Sequence, residues 1–242
     1  MKKLAVFVLL FLLAHVRAMA GAGYYLVSTY ENEGEKNVDF KFWAVKPPGS
    51  SAITAPEIGI GYSPTKRWYT ELYITYIRTE YTGTNPGDVT WQNDFMLTHG
   101  QYPFDLALHT NIERHHDSAN GYGFEFGPVL QTDVGRTQLN GNLFFERNYR
   151  GAQANAMQMK YQWQVKYRWR PQFAFGLQGF GELGQWNDWA SHDLQSHRIG
   201  PAVFGVLPLG NGQALKYEAA YFIGSIYTQN AKVFSARVQY AF

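Results

Sequence analysis

Residues 157–170 read Met-Gln-Met-Lys-Tyr-Gln-Trp-Gln-Val-Lys-Tyr-Arg-Trp-Arg. Every odd position is apolar, from Met157 through Trp163 to Trp169, and every even position is polar, from Gln158 through Lys160 to Arg170. On a helix these apolar groups would scatter around the whole circumference; on a strand they share one face. The run therefore predicts one strand with a greasy side and a wet side. It is much longer than the roughly five to six residues usual in globular sheets.

Weaker alternation recurs along the chain. Residues 68–76 set Trp68, Leu72, Ile74 and Tyr76 opposite Glu71 and Thr75. Residues 104–113 set Phe104, Leu106, Leu108 and Ile112 opposite Asp105, His109, Asn111 and Glu113. Residues 122–131 and 138–146 repeat the pattern, with Glu125, Gln131, Gln138, Asn140, Asn142 and Glu146 on the polar side. Short links rich in turn formers stand near 63–66, 99–101, 133–136, 170–172 and 208–212. Longer polar links stand at 46–52, 82–88, 114–121, 148–155 and 184–196, with a shorter one around 228–231. Short and long links alternate, as tight periplasmic turns and longer external loops do in membrane barrels.

These segments predict twelve antiparallel strands at 38–46, 53–62, 67–81, 89–98, 103–113, 122–132, 137–147, 156–169, 172–183, 197–207, 213–224 and 231–242. The expected fold is all-β: a single transmembrane barrel over 38–242, preceded by an N-terminal periplasmic segment, 21–37. An even strand count leaves both ends on the periplasmic side. The competing architecture is an exported soluble β-sandwich or lipocalin-like barrel, which would bury the apolar face instead.

Residues 1–20 carry the marks of a cleaved secretory signal. Lys2 and Lys3 precede an apolar run from Leu4 to Ala14, and Ala18-Met19-Ala20 offers small residues for cleavage. The run is too short for a bilayer core, which needs about twenty residues. Removing Lys2, Lys3 and Arg17 leaves 18 of the 21 basic groups against 19 acidic ones, so the mature chain is almost neutral. That excludes a basic nucleic-acid arm. The lack of cysteine excludes a disulfide scaffold or a thiolate zinc centre. Aromatics reach 17%, which suits residues that meet a bilayer at its two interfaces.

The C-terminus reads Ser235-Ala236-Arg237-Val238-Gln239-Tyr240-Ala241-Phe242, with Phe234, Ala236, Val238, Tyr240 and Phe242 on one face. It resembles the terminal signal of bacterial outer-membrane barrels, carried here by Tyr240 and Phe242. It departs from that pattern at Arg237, where glycine is usual. The resemblance implies an outer-membrane location in a Gram-negative cell, contact with outer-membrane lipids, and insertion by the barrel-assembly machinery. It leaves the oligomeric state open.

The inward positions are expected to be charged unevenly. Glu71, Asp94, Asp105, Glu113, Glu125 and Glu146 fall on the third to seventh strands; Lys160, Lys166, Arg168, Lys216 and Arg237 fall mostly on the eighth to twelfth. Such a lumen is either a porin-like channel with a transverse field for small polar solutes, or a plug in which acids and bases neutralise one another. His116-Asp117-Ser118 is similar to the His-x-Ser pairing of outer-membrane phospholipases and lipid A deacylases, in which histidine activates serine for attack on an ester. By that resemblance His116 and Ser118 would form an external-rim site, with Glu113 free to orient a histidine. In those families Asn follows Ser directly, whereas here Ala119 intervenes. Trp186, Asn187, Asp188, Trp189, His192 and Asp193 could bind a sugar or a cation, or anchor the rim at the headgroups. The seven His are scattered apart from His115-His116, and no phosphate-cradling glycine loop or dinucleotide fingerprint is present, so no metal site and no cofactor are expected.

A folded barrel of this type changes its gel mobility when a detergent extract is boiled. A band that runs alike before and after boiling would favour the soluble fold.

Overall fold

A strand that is greasy on one side must pair both edges as well as bury a face, and a closed ring of strands does both. A computed structural model describes residues 24–29, 32–98, 100–152, 155–226 and 229–242. The expected signal at 1–20 lies outside the described residues. Twelve long strands form the wall: β1 (Lys36–Lys46), β2 (Ile53–Thr65), β3 (Trp68–Thr79), β4 (Gly83–Met96), β5 (Phe104–Arg114), β6 (Tyr122–Val134), β7 (Thr137–Tyr149), β8 (Gln158–Arg170), β9 (Phe173–Gln185), β11 (Ser196–Gly210), β12 (Gln213–Ile226) and β13 (Gln229–Ala241). A two-residue β10 (Asp188–Trp189) folds back on β9 in an external hairpin. Each wall strand is antiparallel to both neighbours. β13 closes on β1, from Asn37 opposite Ala241 to Lys46 opposite Lys232. A single short 3-10 turn, Ser118–Asn120, is the only helical piece among the described residues.

Wall strands run from 11 to 15 residues. At about 3.3 Å per residue, and tilted as barrel strands are, they cover the roughly 25 Å apolar band of an outer membrane. The two faces decide between membrane and water. Ile60 is 64% exposed and Leu72 and Trp91 47% on the outside, while Asp39, Glu71 and Asp94 are 2% exposed or less within. A soluble barrel has the opposite sidedness. Aromatics gather on the outer surface toward each end: Trp169, Phe173 and Phe242 near the short turns, Tyr76, Tyr122 and Tyr149 near the other rim.

Four of the five turns at the periplasmic end are tight, at Lys66-Arg67, Gly135-Arg136, Pro171-Gln172 and Asn211-Gly212. Asn211 (φ 52°) and Gly212 (φ 80°) are both left-handed, the two-residue geometry whose twist matches the flanking strands. The fifth, 97–103, is longer. At the external end, 82–88 is not the loop its composition predicts. Thr84, Asn85 and Pro86 continue β4 opposite Arg78, Ile77 and Tyr76, above a bulge at Ile74/Tyr76. The bulge absorbs the Pro-Gly pair, so a run of turn formers stays in the wall. Gly87 faces the Thr75 carbonyl there, with a Cβ position only 2.8 Å from it.

Ile60 lies near the centre of β2 between Val38 and Leu72 on the outer face. Ile60→Arg is expected to destabilise the folded barrel in lipid vesicles by about 2–4 kcal/mol, with Ile60→Leu near neutral. Urea titration of the vesicle-inserted chain measures it, and an unaffected midpoint would place this face away from lipid.

Candidate functional site

The polar face of every wall strand points into the lumen, and closure brings side chains from distant strands together. On one side Lys41 donates to Glu71 at 2.9 Å, and its ammonium lies 4.1 Å from the centre of the Tyr73 ring. Arg237 Nε donates to Asp39 at 2.7 Å across the β1–β13 seam. Opposite, Lys160 bridges Glu125 and Glu146, while His109 Nδ1 lies 2.6 Å from Asp94 with its ring against Phe144. Arg198 pairs with Glu182 at 3.0 Å. A polar ladder, Asn140–Gln164–Gln178–Glu218, joins the groups across β7, β8, β9 and β12.

Within the segment 21–37, grouped by sequence on the periplasmic side, residues 24–29 thread this lumen. The Val27 N–H donates to Gln162 Oε1 at 3.0 Å, and Asn142 Nδ2 donates to the Val27 carbonyl at 2.8 Å. Gln162 Nε2 donates to the Tyr25 carbonyl at 3.1 Å. Val27 packs in a cluster with the inward Met96, Ala107, Val129 and Phe144. The Tyr24 ring lies 4.8 Å from that of Trp43 and 4.9 Å from the Arg198 guanidinium.

The residues expected inside are distributed unequally. Glu71, Asp94, Glu113, Glu125, Glu146 and Lys160 are buried in the lumen. Arg237 and the half-buried Lys166 also face inward; the Lys166 ammonium lies 5.4 Å from the centre of the Phe204 ring. Asp105 is half-buried near the periplasmic end of β5. Arg168 is exposed there and pairs with Asp133 at 2.9 Å, and Lys216 pairs with Glu35. Asp39, Lys41, Glu57, Asp88, His109, His115, Glu182, Arg198 and Glu218 also face the lumen or its mouth. Asp39 and Lys41 alternate with Val38, Phe40 and Phe42, a signal legible in the sequence. With them included, β2 to β7 carry inward acids without an inward lysine or arginine, while β8 to β13 and β1 mix acids with all the inward permanent cations.

At the external mouth, Asp88, Glu113 and His115 converge. His115 Nδ1 lies 3.2 Å from Asp88 Oδ2 and 3.7 Å from Glu113 Oε1. Burial disfavours the imidazolium of His115, but the hydrogen bond and charge of Asp88 outweigh it and hold the pKa above the ordinary histidine value. His116 and Ser118 instead have exposed side chains beyond β5, and no hydrogen bond joins the two among the described residues. The His116 backbone N–H donates to Asp88 Oδ1 at 2.7 Å, and Asp117 caps the short 3-10 turn through the Ala119 N–H. Glu113 turns toward His115. Trp186 and Trp189 are exposed at the rim.

No protein-family model matches the chain, and no curated protein matches it. Among solved structures it is similar to the NanC porin, at 11% identity and a TM-score of 0.57 over 85% of this chain and 98% of that one. It is similar also to the KdgM porin, at 9% identity and a TM-score of 0.52 over 84% and 99%. The transport unit of the autotransporter AIDA-I from Escherichia coli gives 12% identity and 0.52 over 98% and 97%. These structures are outer-membrane β-barrels, and at such identities the shared property is that fold.

Lys160 is the link between two buried carboxylates. Lys160→Met should lower stability by about 3–5 kcal/mol, because Glu146 would lose its ammonium partner and Glu125 would keep only His109, 3.5 Å away. Adding Glu146→Gln should recover part of the loss. Denaturation of the detergent-refolded variants checks this, and an unchanged midpoint for Lys160→Met would mean the pair carries no such cost.

Proposed function

We propose that this chain is a non-enzymatic outer-membrane channel for small polar solutes, closed in the described conformation by its own residues 24–29. In this proposal residues 1–20 direct export and are cleaved, while Tyr240 and Phe242, stacked at 5.4 Å, present the assembly signal. Support for a channel comes from a polar, charged lumen and from the likeness to two structures named as porins. The observation that carries the closed state is the grip of Gln162 and Asn142 on the backbone of Tyr25 and Val27.

The energetics of that grip suit a displaceable element. Its three hydrogen bonds contribute roughly 1 kcal/mol each, and burial of Leu26, Val27 and the Tyr24 ring roughly 2 kcal/mol each. Ordering six residues of backbone costs roughly 1–2 kcal/mol per residue. The opposing contributions balance to within a few kcal/mol. A segment so held can leave on a modest bias, while the wall, tied through its strand pairs, stays intact. Asp88, Asp94, Glu113, Glu125 and Glu146 line one side, and Lys160 is the only lysine paired with them among the described residues, so an open lumen would favour cations and neutral solutes over anions. The hydrolase alternative lacks a comparable support, because no hydrogen bond joins His116 and Ser118 among the described residues.

Planar-bilayer recording on refolded protein tests the proposal. The chain lacking residues 1–20 should conduct weakly and intermittently. The chain lacking residues 1–31 should give a steady conductance with cation preference in a salt gradient. Silence from both would leave a purely structural barrel, and an equal steady conductance from both would remove the closing role of residues 24–29.

A further inference from the structure

We propose that Asp88, Glu113 and His115 form a binding site for a divalent transition-metal cation of the zinc type at the external mouth of the lumen. The site stands whether or not the lumen conducts. One donor atom from each residue lies within 4.8 Å of the other two. Zinc bonds to nitrogen and oxygen are about 2.0–2.2 Å, so tetrahedral donors stand about 3.3 Å apart. The His115 Nδ1 separations of 3.2 and 3.7 Å from the two carboxylates bracket that value. Side-chain rotation that closes the widest separation, up to 4.8 Å, by about 1.5 Å completes a three-ligand face, leaving a fourth position for water or solute.

The surroundings are built for such a cation. Glu113 is 3% exposed, and its Oε1, the atom that faces His115, has no hydrogen-bond partner among the described residues. A buried carboxylate oxygen without a donor is costly, and a metal ion satisfies it directly. Asp88 is oriented by the His116 N–H on Oδ1, which leaves Oδ2 turned to the imidazole, the arrangement expected around a ligating carboxylate. Gly123 stands opposite Glu113 on β6, where a Cβ would come within 3.3 Å of Glu113 Oε2 and 3.5 Å of His115 Nε2. A glycine there keeps room for both ligands to adjust. Two carboxylates with one imidazole suit zinc and similar borderline ions, whereas calcium takes six to eight oxygens. The cation would tie β4 to the end of β5.

The test is zinc chloride titration of the untagged, refolded chain in detergent, read by calorimetry and by the shift in melting temperature. Cobalt(II) absorption serves as a second readout of nitrogen and oxygen ligation. One equivalent should bind and raise the melting temperature. His115→Ala and Glu113→Gln should each weaken binding by about tenfold or more, the loss that even outer-shell substitutions produce. Heat-modifiable gel mobility confirms that each variant is folded, and the isosteric Asp88→Asn supplies a third test should either fail to fold. His192→Ala should leave binding unchanged. Absence of saturable binding would overturn the proposal. So would retention of full affinity in the folded Glu113 and His115 variants, or loss of binding only with His192→Ala, which would move the ion to the external loop before β11.

Discussion

The seam between β1 and β13 is the contact on which the rest of the structure depends. In hydrocarbon an unpaired backbone N–H or C=O has no water to turn to, so an open sheet edge is not tolerated there. β1 meets β13 over ten residue pairs, and outside the ladder the Lys36 and Phe242 backbones exchange hydrogen bonds of 3.0 and 2.9 Å. Once the ring closes, strand alternation leaves no freedom about sidedness. Every residue on the parity of Phe40 and Ile60 must face lipid, and every residue on the parity of Asp39 and Glu71 must face the lumen. The seam itself is also stitched on the inside by Arg237 and Asp39.

Closure then creates the problem that the lumen solves. A ring of this size collects ionisable groups from strands far apart in sequence, in a space partly shielded from water, where unpaired charge is costly. Lys41 with Glu71, Lys160 with Glu125 and Glu146, and Arg198 with Glu182 each join neighbouring or next-nearest strands. Along β4 to β7 the acids exceed the permanent cations available, and His109 and His115 stand in the gaps beside Asp94 and Asp88. Imidazole is the side chain whose charge answers to its surroundings near neutral pH. The same shortage of fixed positive charge underlies both a lumen that favours cations and a metal-ligating cluster at its mouth.

Much of the wall was legible before any coordinates. All twelve long strands are found where alternation places them, and the alternating run 157–170 becomes β8, Gln158–Arg170, nearly residue for residue. Alternation survives in the sequence because lipid and lumen each impose one polarity on every second residue. Where two local signals conflicted, composition misled: Asn85-Pro86-Gly87 reads as a loop, but cross-strand pairing to β3 outweighs turn propensity once a bulge accommodates the proline. The lumen was only half legible. Position within a strand marks Glu71 or Lys160 as inward, but not which partner the curvature brings to it. The path of residues 24–29 carried no local signal, because its hydrogen bonds are to Gln162 and Asn142, more than a hundred positions away.

The contrast between two adjacent histidines shows how strongly parity governs chemistry in this fold. His115 keeps the inward parity of Asn111 and Glu113 one residue past the end of β5, and it is buried among carboxylates. His116 takes the next direction and is exposed, with only its backbone N–H engaged by Asp88. A short motif centred on His116 and Ser118 attracts notice because both residue types can do nucleophilic chemistry, but a nucleophile and its base must share an environment. Two positions apart, the pair would share a face on a strand, but both lie beyond the end of β5, where Ser118 enters the 3-10 turn. The wall extends its alternation into the first residue of the loop. The concentrated titratable chemistry therefore falls to His115 with Glu113 and Asp88, where β4 runs beside the end of β5 and no linear motif connects the three.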